Sequence, residues 1–523
     1  CISSAASDVY KRQLSEEQQG AVNGILNAFD QNDRRPSLIH GITGSGKTEV
    51  YLALIEGMIK RGRQSIVLIP EIALTYQTVQ RFTARFGDRV SVMNSTLSVG
   101  EKQDQCRRAE RGELDVIIGP RSALFVPFPN LGMILMDEEH ELSYKSETSP
   151  KYHARETAQK LAELSDAALV LGSATPSLEA YSRAQSGDYH FYKLTKRLTG
   201  GSLPRVEIAD LREELRNGNR SIFSVSLQEK LRDRLARKEQ SMLFLNRRGY
   251  AGFVSCRACG YVCKCPHCDV SLSEHRGGRL VCHYCGYEQP AVKLCPSCGS
   301  KYILGFRAGT EAIEEQLHKM FPQARVLRMD ADTTRTRESY EKILAAFARG
   351  DADILVGTQM IVKGHDFPAV TLVGVLAADL SLSMSDYRAG ERTFQLLTQA
   401  AGRAGRGSRP GEVVIQTYQP DHYSIQYAAR QDYEGFYKEE LTYRQLLSYP
   451  PASHILAVQF YSKKQEEALA GAQEAASYVR QITQSRQFTQ QMSGTVQIPT
   501  PAATHNAALS LIHISEPTRQ AEI

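Results

Sequence analysis

The segment Ser37-Leu-Ile-His-Gly-Ile-Thr-Gly-Ser-Gly-Lys-Thr48 is the clearest indication of the fold class of this chain. A short apolar run, typical of a buried strand, leads into a glycine-rich turn, and residues 49–56 then have the spacing of a helix. The turn fits the pattern G-x-x-x-x-G-K-[ST], in which backbone N–H groups and a helix N-terminus surround phosphate groups. The sequence therefore predicts a nucleotide site at the start of an α/β domain.

Each residue type in this turn has a chemical role. Lys47 would neutralise the β- and γ-phosphates, and Thr48 would hold Mg²⁺ through its hydroxyl. ATP with Mg²⁺ is the ligand that we expect here. The other positions that would surround the phosphates are Gly41, Thr43, Gly44, Ser45 and Gly46.

A second apolar run, Met133-Ile-Leu-Met136, ends in Asp137-Glu-Glu-His140. In enzymes with this kind of phosphate-binding turn, the acid that orders Mg²⁺ and the residue that polarises the attacking water lie after a buried strand. We assign Asp137 to the metal and Glu138 to the water. A solvated acidic loop is the alternative, but it would not explain why the carboxylates follow a buried strand.

Further apolar runs alternate with helix-length segments along the chain. This alternation predicts buried parallel strands separated by helices. Two α/β sheets in tandem are the architecture that such an order favours. The predicted strands span residues 65–70, 115–119, 168–172, 241–245, 324–328, 353–357, 370–374 and 412–416.

Eight of the eleven cysteines form four Cys-x-x-Cys pairs. Two such pairs can bind one Zn²⁺ in a tetrahedral site, so four pairs predict two zinc ions. Four disulfides are the alternative, but no signal peptide is apparent and disulfides are rare in the cytoplasm, the location that we expect. Cys1, Cys106 and Cys263 are predicted to be spare thiols. The predicted ligands are Cys256, Cys259, Cys265, Cys268, Cys282, Cys285, Cys295 and Cys298.

Length and charge describe a large protein of several domains. The chain has 523 residues and a formal net charge of +5, a mildly basic balance that permits a polyanionic partner without proving one. No apolar run approaches the length that spans a membrane, so a membrane partner is not expected. Because the chain begins at Cys1, we expect it to be a fragment without its natural N-terminus.

The motif order resembles that of the superfamily 2 helicases. Within that superfamily, four cysteine pairs inserted in the second lobe are similar to the PriA family of primosomal replication-restart helicases. The resemblance runs from about residue 13 to about residue 500. The motifs that carry it are residues 41–48, Asp137-Glu-Glu-His140, Ser173-Ala-Thr-Pro176, Phe244-Leu-Asn-Arg-Arg-Gly-Tyr250, Gly357-Thr-Gln-Met-Ile-Val-Lys-Gly-His365 and Gln399-Ala-Ala-Gly-Arg-Ala-Gly-Arg406.

The resemblance implies two tandem RecA-like lobes and an ATP-driven DNA helicase with 3′ to 5′ polarity. Stalled forks and displacement loops would be its substrates, and primosome assembly would follow. The implied partners are single-stranded and forked DNA, single-strand DNA-binding protein and other primosome proteins, including the machinery that loads the replicative helicase.

Roles of single residues also follow from the resemblance. Gln18 would read the adenine edge through its amide, and Arg403 and Arg406 would contact the γ-phosphate from the second lobe. The implied zinc pairing is nested, with the two outer Cys-x-x-Cys pairs forming one site and the two inner pairs the other. Pairing of consecutive pairs is the alternative.

The resemblance sets the expected domain borders. Residues 1–12 would be a linker remnant, followed by a first lobe over 13–195 and a second lobe over 196–445 with a zinc insertion at 256–298. A partial α+β domain would span 446–503, and the family's N-terminal DNA-binding domains would be absent. Residues 504–523 read like translated adapter sequence, and we assign them no structure.

Three loops are predicted to contact single-stranded DNA. Residues 69–75 and 119–123 supply turn residues, hydroxyls and a cation, which bind phosphates without reading sequence. Residues 141–155 mix tyrosines with cations, and these tyrosines could stack on bases. Tyrosines that only cover the core are the alternative.

Two rival functions remain open. A duplex translocase or branch-migration motor would share the ATP site but would not explain the four cysteine pairs. A non-catalytic zinc scaffold for replication proteins would only sense the nucleotide.

Overall fold

The computed structural model describes most of the chain as two compact units. The first contains described residues within 1–204, 360–371 and 402–411, and the second those within 205–359, 372–401 and 412–523. The described residues are 13–71, 76–197, 203–245, 254–266, 271–275, 278–282, 286–305, 309–330, 332–334, 337–362, 367–382, 386–405, 409–461, 464–483, 495–497, 502–504 and 507–515.

The first unit is built on a parallel sheet. Its strands are β1 Ser37–Gly41, β2 Gln64–Leu68, β3 Val90–Val92, β4 Val116–Gly119, β5 Leu131–Asp137, β6 Ala168–Ser173 and β7 His190–Leu194. They lie in the order β3-β4-β2-β5-β6-β1-β7. Because β1 and β5 both flank β6 and run parallel to it, their carboxyl ends meet at one edge of the sheet.

Helices join these strands, and several begin at a side-chain cap. Ser15 accepts a hydrogen bond from the backbone of Gln18 while the Gln18 side chain bonds back to Ser15, and Ser98 and Glu101 repeat this arrangement. The helices are Glu16–Asp30, Lys47–Lys60, Tyr76–Phe86, Val99–Glu110, Ala154–Ser165 and Leu178–Gln185, with short 3₁₀ turns at Gly87–Arg89, Arg121–Phe125 and Leu142–Tyr144.

The second unit contains another sheet and a Cys-rich insertion. Its strands up to residue 417 are β8 Arg205–Asp210, β9 Gln240–Phe244, β10 Val254–Cys256, β11 Ser273–His275, β12 Arg279–Val281, β13 Glu288–Pro290, β14 Ile303–Gly305, β15 Val326–Met329, β16 Ile354–Gly357, β17 Val370–Val375 and β18 Glu412–Thr417. The larger sheet has the order β15-β16-β9-β17-β18-β8. The insertion interrupts the chain between β9 and β15.

The Cys-rich insertion has short antiparallel strands. Strand β10 pairs with β14, and β11, β12 and β13 form a three-stranded sheet. Its core consists of a few aliphatic side chains and of the thiols of Cys256, Cys263, Cys265, Cys282 and Cys295.

Helices of the second unit precede a small α+β region. They are Leu211–Arg216, Val225–Ala236, Thr310–Met320, Arg337–Arg349, Asp379–Leu382, Ala389–Ala401, Tyr423–Arg430, Tyr433–Leu446 and Gln465–Thr483, whereas the short helix Gln359–Val362 lies mostly in the first unit. The small region adds β19 His454–Tyr461, β20 Thr495–Gln497, β21 Ala502–Thr504 and β22 Ala507–Ser515, in which β22 pairs antiparallel with β19.

The predicted α/β architecture is confirmed. Two mainly parallel sheets follow each other along the chain, and the second unit also contains the Cys-rich cluster. All eight further predicted strands are present. One expectation needs correction, because residues 507–515 form β22 although we assigned them no structure. The end of this strand, Ile-His-Ile-Ser, alternates apolar with polar residues as strands do, and β22 pairs with β19 along eight residues.

The part of the chain that the structure describes contains no helix long and apolar enough to span a bilayer.

Candidate nucleotide and metal sites

The glycine-rich turn joins the buried strand β1 to the helix Lys47–Lys60. Gly44 and Gly46 have φ angles of 83° and 81°. These angles lie in the left-handed region of backbone conformation, which residues with a side chain rarely adopt. A methyl group on Gly41 would lie 2.5 Å from Ser45 Oγ. These glycines therefore allow the turn to close tightly on itself.

Two polar groups inside the turn are oriented for a ligand. Lys47 Nζ donates to the Gly41 carbonyl over 2.9 Å, so its ammonium group lies back across the turn. Ser45 Oγ is buried and has no hydrogen-bond partner among the described residues. A buried hydroxyl without a partner is costly unless a bound group satisfies it. The turn thus fits a phosphate-bearing ligand.

Asp137 ends strand β5 at the same edge of the sheet. Tyr51 Oη donates to its Oδ1 over 2.9 Å. Burial and the neighbouring Glu138 charge raise the pKa of Asp137 to about 6, while Lys47 opposes that shift. Lys47 and Glu138 therefore both lie close enough to Asp137 to influence its charge. A divalent cation would favour the ionised carboxylate.

Glu138 occupies a strained position beside Asp137. Its φ angle of 47° is rare for a residue with a side chain. Its Oε2 is buried without a hydrogen bond in the described part of the chain, and His140 Nδ1 lies 3.7 Å away. An acceptor oxygen without a partner at this edge suits the polarisation of a water molecule.

Glu139 differs from Glu138 although it is the next residue. Its carboxylate is 1% exposed, bonds to Arg155 Nη1 over 3.0 Å, and accepts from the Ser177 backbone N–H over 2.6 Å. His140 Nδ1 lies 2.7 Å from Ser173 Oγ, at the end of β6. Glu139 and His140 therefore fix the acidic turn to the turn after β6.

Sequence reasoning missed Tyr51, Arg155 and Ser177 as residues of this site. Tyr51 could have been found, because it lies four residues after Lys47 and so shares its helix face. Arg155 and Ser177 carry no such signal, since only the fold brings them to Glu139.

Gln18 contacts the glycine-rich turn from the start of the first helix. Its Nε2 donates to the Ser45 carbonyl over 2.8 Å, and its Oε1 accepts from the Ser15 backbone. Both ends of the amide are therefore engaged within the protein. The predicted pairing with adenine stays a prediction, and it would require these bonds to be exchanged.

The arginine segment after the helix Ala389–Ala401 belongs to the same compact unit as the glycine-rich turn. A methyl group on Gly402 would lie 2.8 Å from Thr43 Oγ1, so this backbone closely approaches the turn. Arg403 is the next residue and is half-buried. Arg406 lies outside the described residues.

Four thiols of the insertion form a compact cluster. The Sγ atoms of Cys256, Cys259, Cys295 and Cys298 all lie within 4.8 Å of one another. The Cys256–Cys298 and Cys259–Cys295 Sγ distances are both 3.6 Å, too long for disulfides. Tetrahedral zinc with bonds of about 2.3 Å would separate its sulfurs by about 3.8 Å, so this set fits one zinc ion in the outer, nested pairing.

The inner pairs are described only in part. Cys265 and Cys282 are buried, whereas Cys268 and Cys285 lie outside the described residues. Cys263 is 2% exposed, and burial raises the pKa of its thiol to about 11. It lies in the core of the insertion, outside the four-thiol cluster.

Two side chains of the predicted DNA-contacting loops, those of Arg121 and Tyr144, contact backbone carbonyl groups of the protein itself. Tyr144 is 1% exposed, and its Oη lies 3.0 Å from the Leu68 carbonyl and 2.7 Å from that of Asp137. For Tyr144 the core-covering alternative therefore holds, and base stacking is wrong. Arg121 Nη1 donates to the Ser143 and Lys145 carbonyls and so holds this loop.

Three family models match the chain. Residues 11–178 match "Type III restriction enzyme, res subunit". Residues 265–290 match "PriA DNA helicase Cys-rich region (CRR) domain", and residues 298–408 match "Helicase conserved C-terminal domain".

Curated relatives are similar over most of the chain. "Replication restart protein PriA" of Bacillus subtilis (strain 168) is 53% identical over 468 residues, which are 89% of this chain and 58% of the relative. The Synechocystis sp. protein of the same name is 48% identical over 85% of this chain and 55% of its own length. The Treponema pallidum (strain Nichols) protein of the same name is 41% identical over 90% of this chain and 70% of its own length. The chain thus spans little more than half the length of the first two relatives.

Proposed function

Because the chain belongs to the PriA family of replication restart proteins, we propose that it is an ATP-dependent DNA helicase that moves with 3′ to 5′ polarity. Stalled forks and displacement loops are the proposed substrates, and initiation of primosome assembly is the proposed outcome. Single-strand DNA-binding protein and the machinery that loads the replicative helicase are the proposed partners.

One observation carries the ATPase part of this proposal. Asp137 ends strand β5 at one edge of the first sheet, where Lys47 and Glu138 both act on its charge and Glu138 Oε2 is a buried acceptor without a hydrogen-bond partner in the described chain. A structural carboxylate would be bonded as Glu139 is, so an open acceptor next to a phosphate-binding lysine indicates chemistry.

The proposed roles divide the reaction among these residues. Lys47 binds the β- and γ-phosphates, and Asp137 orders Mg²⁺, which would neutralise phosphate charge. Glu138 polarises the attacking water, and the segment with Arg403 and Arg406 stabilises charge that develops on the γ-phosphate. Gly44, Gly46, Thr43 and Thr48 complete the phosphate-binding turn.

The cysteine pairs are proposed to hold two structural zinc ions. The outer site uses Cys256, Cys259, Cys295 and Cys298, which already have the spacing that zinc needs. The inner site would use Cys265, Cys268, Cys282 and Cys285. We propose that the insertion parts the duplex and offers a docking surface for primosome proteins.

DNA-stimulated ATP hydrolysis and unwinding of duplexes with a 3′ or a 5′ tail test the function. The protein should hydrolyse ATP faster with single-stranded DNA and unwind the 3′-tailed duplex. Glu138→Gln should stop hydrolysis and retain bound ATP, whereas Glu163→Gln, an exposed change on the helix Ala154–Ser165, should not.

Three results would argue against the proposal. No hydrolysis by the unaltered protein would favour a non-catalytic zinc scaffold. Hydrolysis with movement along duplex DNA but without strand separation would favour a duplex translocase. Rapid hydrolysis by Glu138→Gln would place the catalytic base elsewhere.

A further inference from the structure

The Cys-rich insertion is fastened to the second sheet by an arginine inside its first cysteine pair. Arg257 lies between Cys256 and Cys259, and its Nε donates to Tyr418 Oη over 2.8 Å. The guanidinium carbon also lies 5.9 Å from the centre of the Tyr418 ring. A planar cation that bonds the hydroxyl and also lies over the ring fixes direction as well as distance.

The backbone beside the Arg257–Tyr418 contact is closely packed. Gly260 has a φ angle of 79°, and a methyl group there would lie 2.5 Å from the Tyr418 carbonyl oxygen. The Arg257 backbone N–H donates to the Tyr302 carbonyl over 2.8 Å, which holds the turn from its other side. The contact is therefore a packed interface of backbone and side chains.

Tyr418 is itself held by a buried carboxylate. Tyr418 is 9% exposed and follows β18, and its backbone N–H donates to Asp379 Oδ2 over 2.9 Å. Thr417 Oγ1 donates to the other oxygen of Asp379 over 2.6 Å. Because Asp379 is 5% exposed, losing these donors would leave a buried charge unsatisfied.

The short helix that begins at Asp379 is hydrogen-bonded to the helix that leads into the arginine segment. Asp379 begins the helix Asp379–Leu382, in which Ser381 Oγ accepts from Thr393 Oγ1 over 2.7 Å. Thr393 lies in the helix Ala389–Ala401, whose next residues are Gly402 and Arg403. Short, buried contacts thus connect the outer cysteine site to the helix that precedes Arg403.

We propose that Arg257 is a positioning residue that couples ATP hydrolysis to strand separation by fixing the insertion, through Tyr418 and Asp379, to the helix Ala389–Ala401. This inference rests on the proposed helicase function and assigns to one arginine the link between its two activities. Arg257 contacts neither the nucleotide turn nor a predicted metal-binding sulfur through its side chain in the described contacts.

The test compares Arg257→Ala, Tyr418→Phe and the double variant with the unaltered protein. Zinc content, DNA-stimulated ATP hydrolysis and base pairs unwound per ATP are measured for each. Arg279→Ala is the matched control. Arg279 lies on β12 of the same insertion, and it pairs with Glu288 within the insertion and not with a residue of the larger second-unit sheet.

Each single variant should keep its zinc and about half or more of its ATP hydrolysis, yet unwind about tenfold fewer base pairs per ATP, the size expected for one lost charge-assisted hydrogen bond. The double variant should be no worse than Arg257→Ala, because both changes break one contact. Arg279→Ala should match the unaltered protein.

Other results would overturn the inference. Unchanged unwinding per ATP in Arg257→Ala removes the coupling role, and additive losses in the double variant remove the shared contact. Loss of zinc in Arg257→Ala would make the residue structural. If the unaltered protein shows no DNA-stimulated hydrolysis, the proposed function fails, and hydrogen exchange then decides the contact alone: faster exchange at residues 256–261 in Arg257→Ala supports it, and unchanged exchange rejects it.

Discussion

The first-lobe sheet and the Cys-rich insertion are stabilised by different kinds of core. Strand β5 has seven residues, nearly all buried, and the core around it is aliphatic. The insertion has strands of three residues, and thiols supply much of its core. A large apolar core folds without a ligand, whereas a region this small needs a metal to offset its loss of chain entropy.

The two regions also differ in whether their polar groups are open to a reacting ligand. At the edge of the first sheet, Ser45 Oγ and Glu138 Oε2 lack hydrogen-bond partners among the described residues, so the site is open to a ligand. In the insertion, the four clustered thiols face one another. Changes in one region should therefore leave the other intact, and substitutions confined to one region test this independence.

The largest effect should come from removing one zinc site. The double change Cys259→Ser and Cys295→Ser takes two adjacent sulfurs from the outer cluster, and structural zinc binding of this kind contributes about 10–16 kcal/mol. Metal analysis should show one zinc ion lost, with unwinding abolished and DNA-stimulated ATP hydrolysis retained. Cys263→Ala, a buried thiol outside the cluster, should keep its zinc. Retained zinc in the double variant would refute the ligand set.

Lys47→Ala should abolish the chemistry of the first lobe. Loss of the ammonium group should slow ATP hydrolysis by about a thousandfold, or about 4 kcal/mol of transition-state stabilisation. Single-strand DNA binding and zinc content should not change. Lys60→Ala, at the exposed end of the same helix, is the control. Equal loss of DNA binding and hydrolysis would contradict the separation.

Arg155→Ala should destabilise the first lobe without touching the metal region. The change leaves the buried Glu139 carboxylate without its cation, which costs about 3 kcal/mol. Denaturant unfolding should show a lower free energy of unfolding at unchanged zinc content. Adding Glu139→Gln should recover part of that loss, since the uncompensated charge is then gone. No recovery would mean that Arg155 acts through packing alone.

Tyr51→Phe should have the smallest effect. Its hydroxyl lowers the pKa of Asp137 against the effect of burial, so its loss raises that pKa above about 6. Mg²⁺-dependent ATP affinity should fall about fivefold, in line with one lost hydrogen bond of about 1 kcal/mol. The loss should be greater at pH 6 than at pH 8, where Asp137 stays ionised. Tyr189→Phe, whose hydroxyl accepts from Arg183, should show no such pH dependence.

The sequence predicted the inner strands of both sheets because continuous apolar runs mark strands that are buried on both faces. It missed the edge strands Val90–Val92, His190–Leu194 and Arg205–Asp210. These strands are half-buried and carry charged or polar side chains, so no apolar run marks them. Strand detection from composition therefore follows burial, with the half-buried edge strand Val326–Met329 as an exception that was predicted.

For the candidate site, the convergence of Lys47 and Asp137 was predictable, since carboxyl ends of parallel strands share an edge. The contrast between Glu138 and Glu139 was not. Two identical neighbouring residues differ here only through Arg155 and Ser177, which lie far away in sequence and reach Glu139 through the fold. In the same way, two arrangements of the cysteine pairs fit the spacing, and only sulfur distances distinguish them.

The pairing of β10 with β14 has a consequence for the two ends of the insertion. Cys256 lies opposite Ile303, so the insertion leaves and re-enters the second lobe through adjacent strands. The Cα atoms of residues paired in this way are about 5 Å apart, which a two-residue turn can bridge. A two-residue turn in place of residues 257–302 would therefore close Val254–Cys256 and Ile303–Gly305 into a simple hairpin.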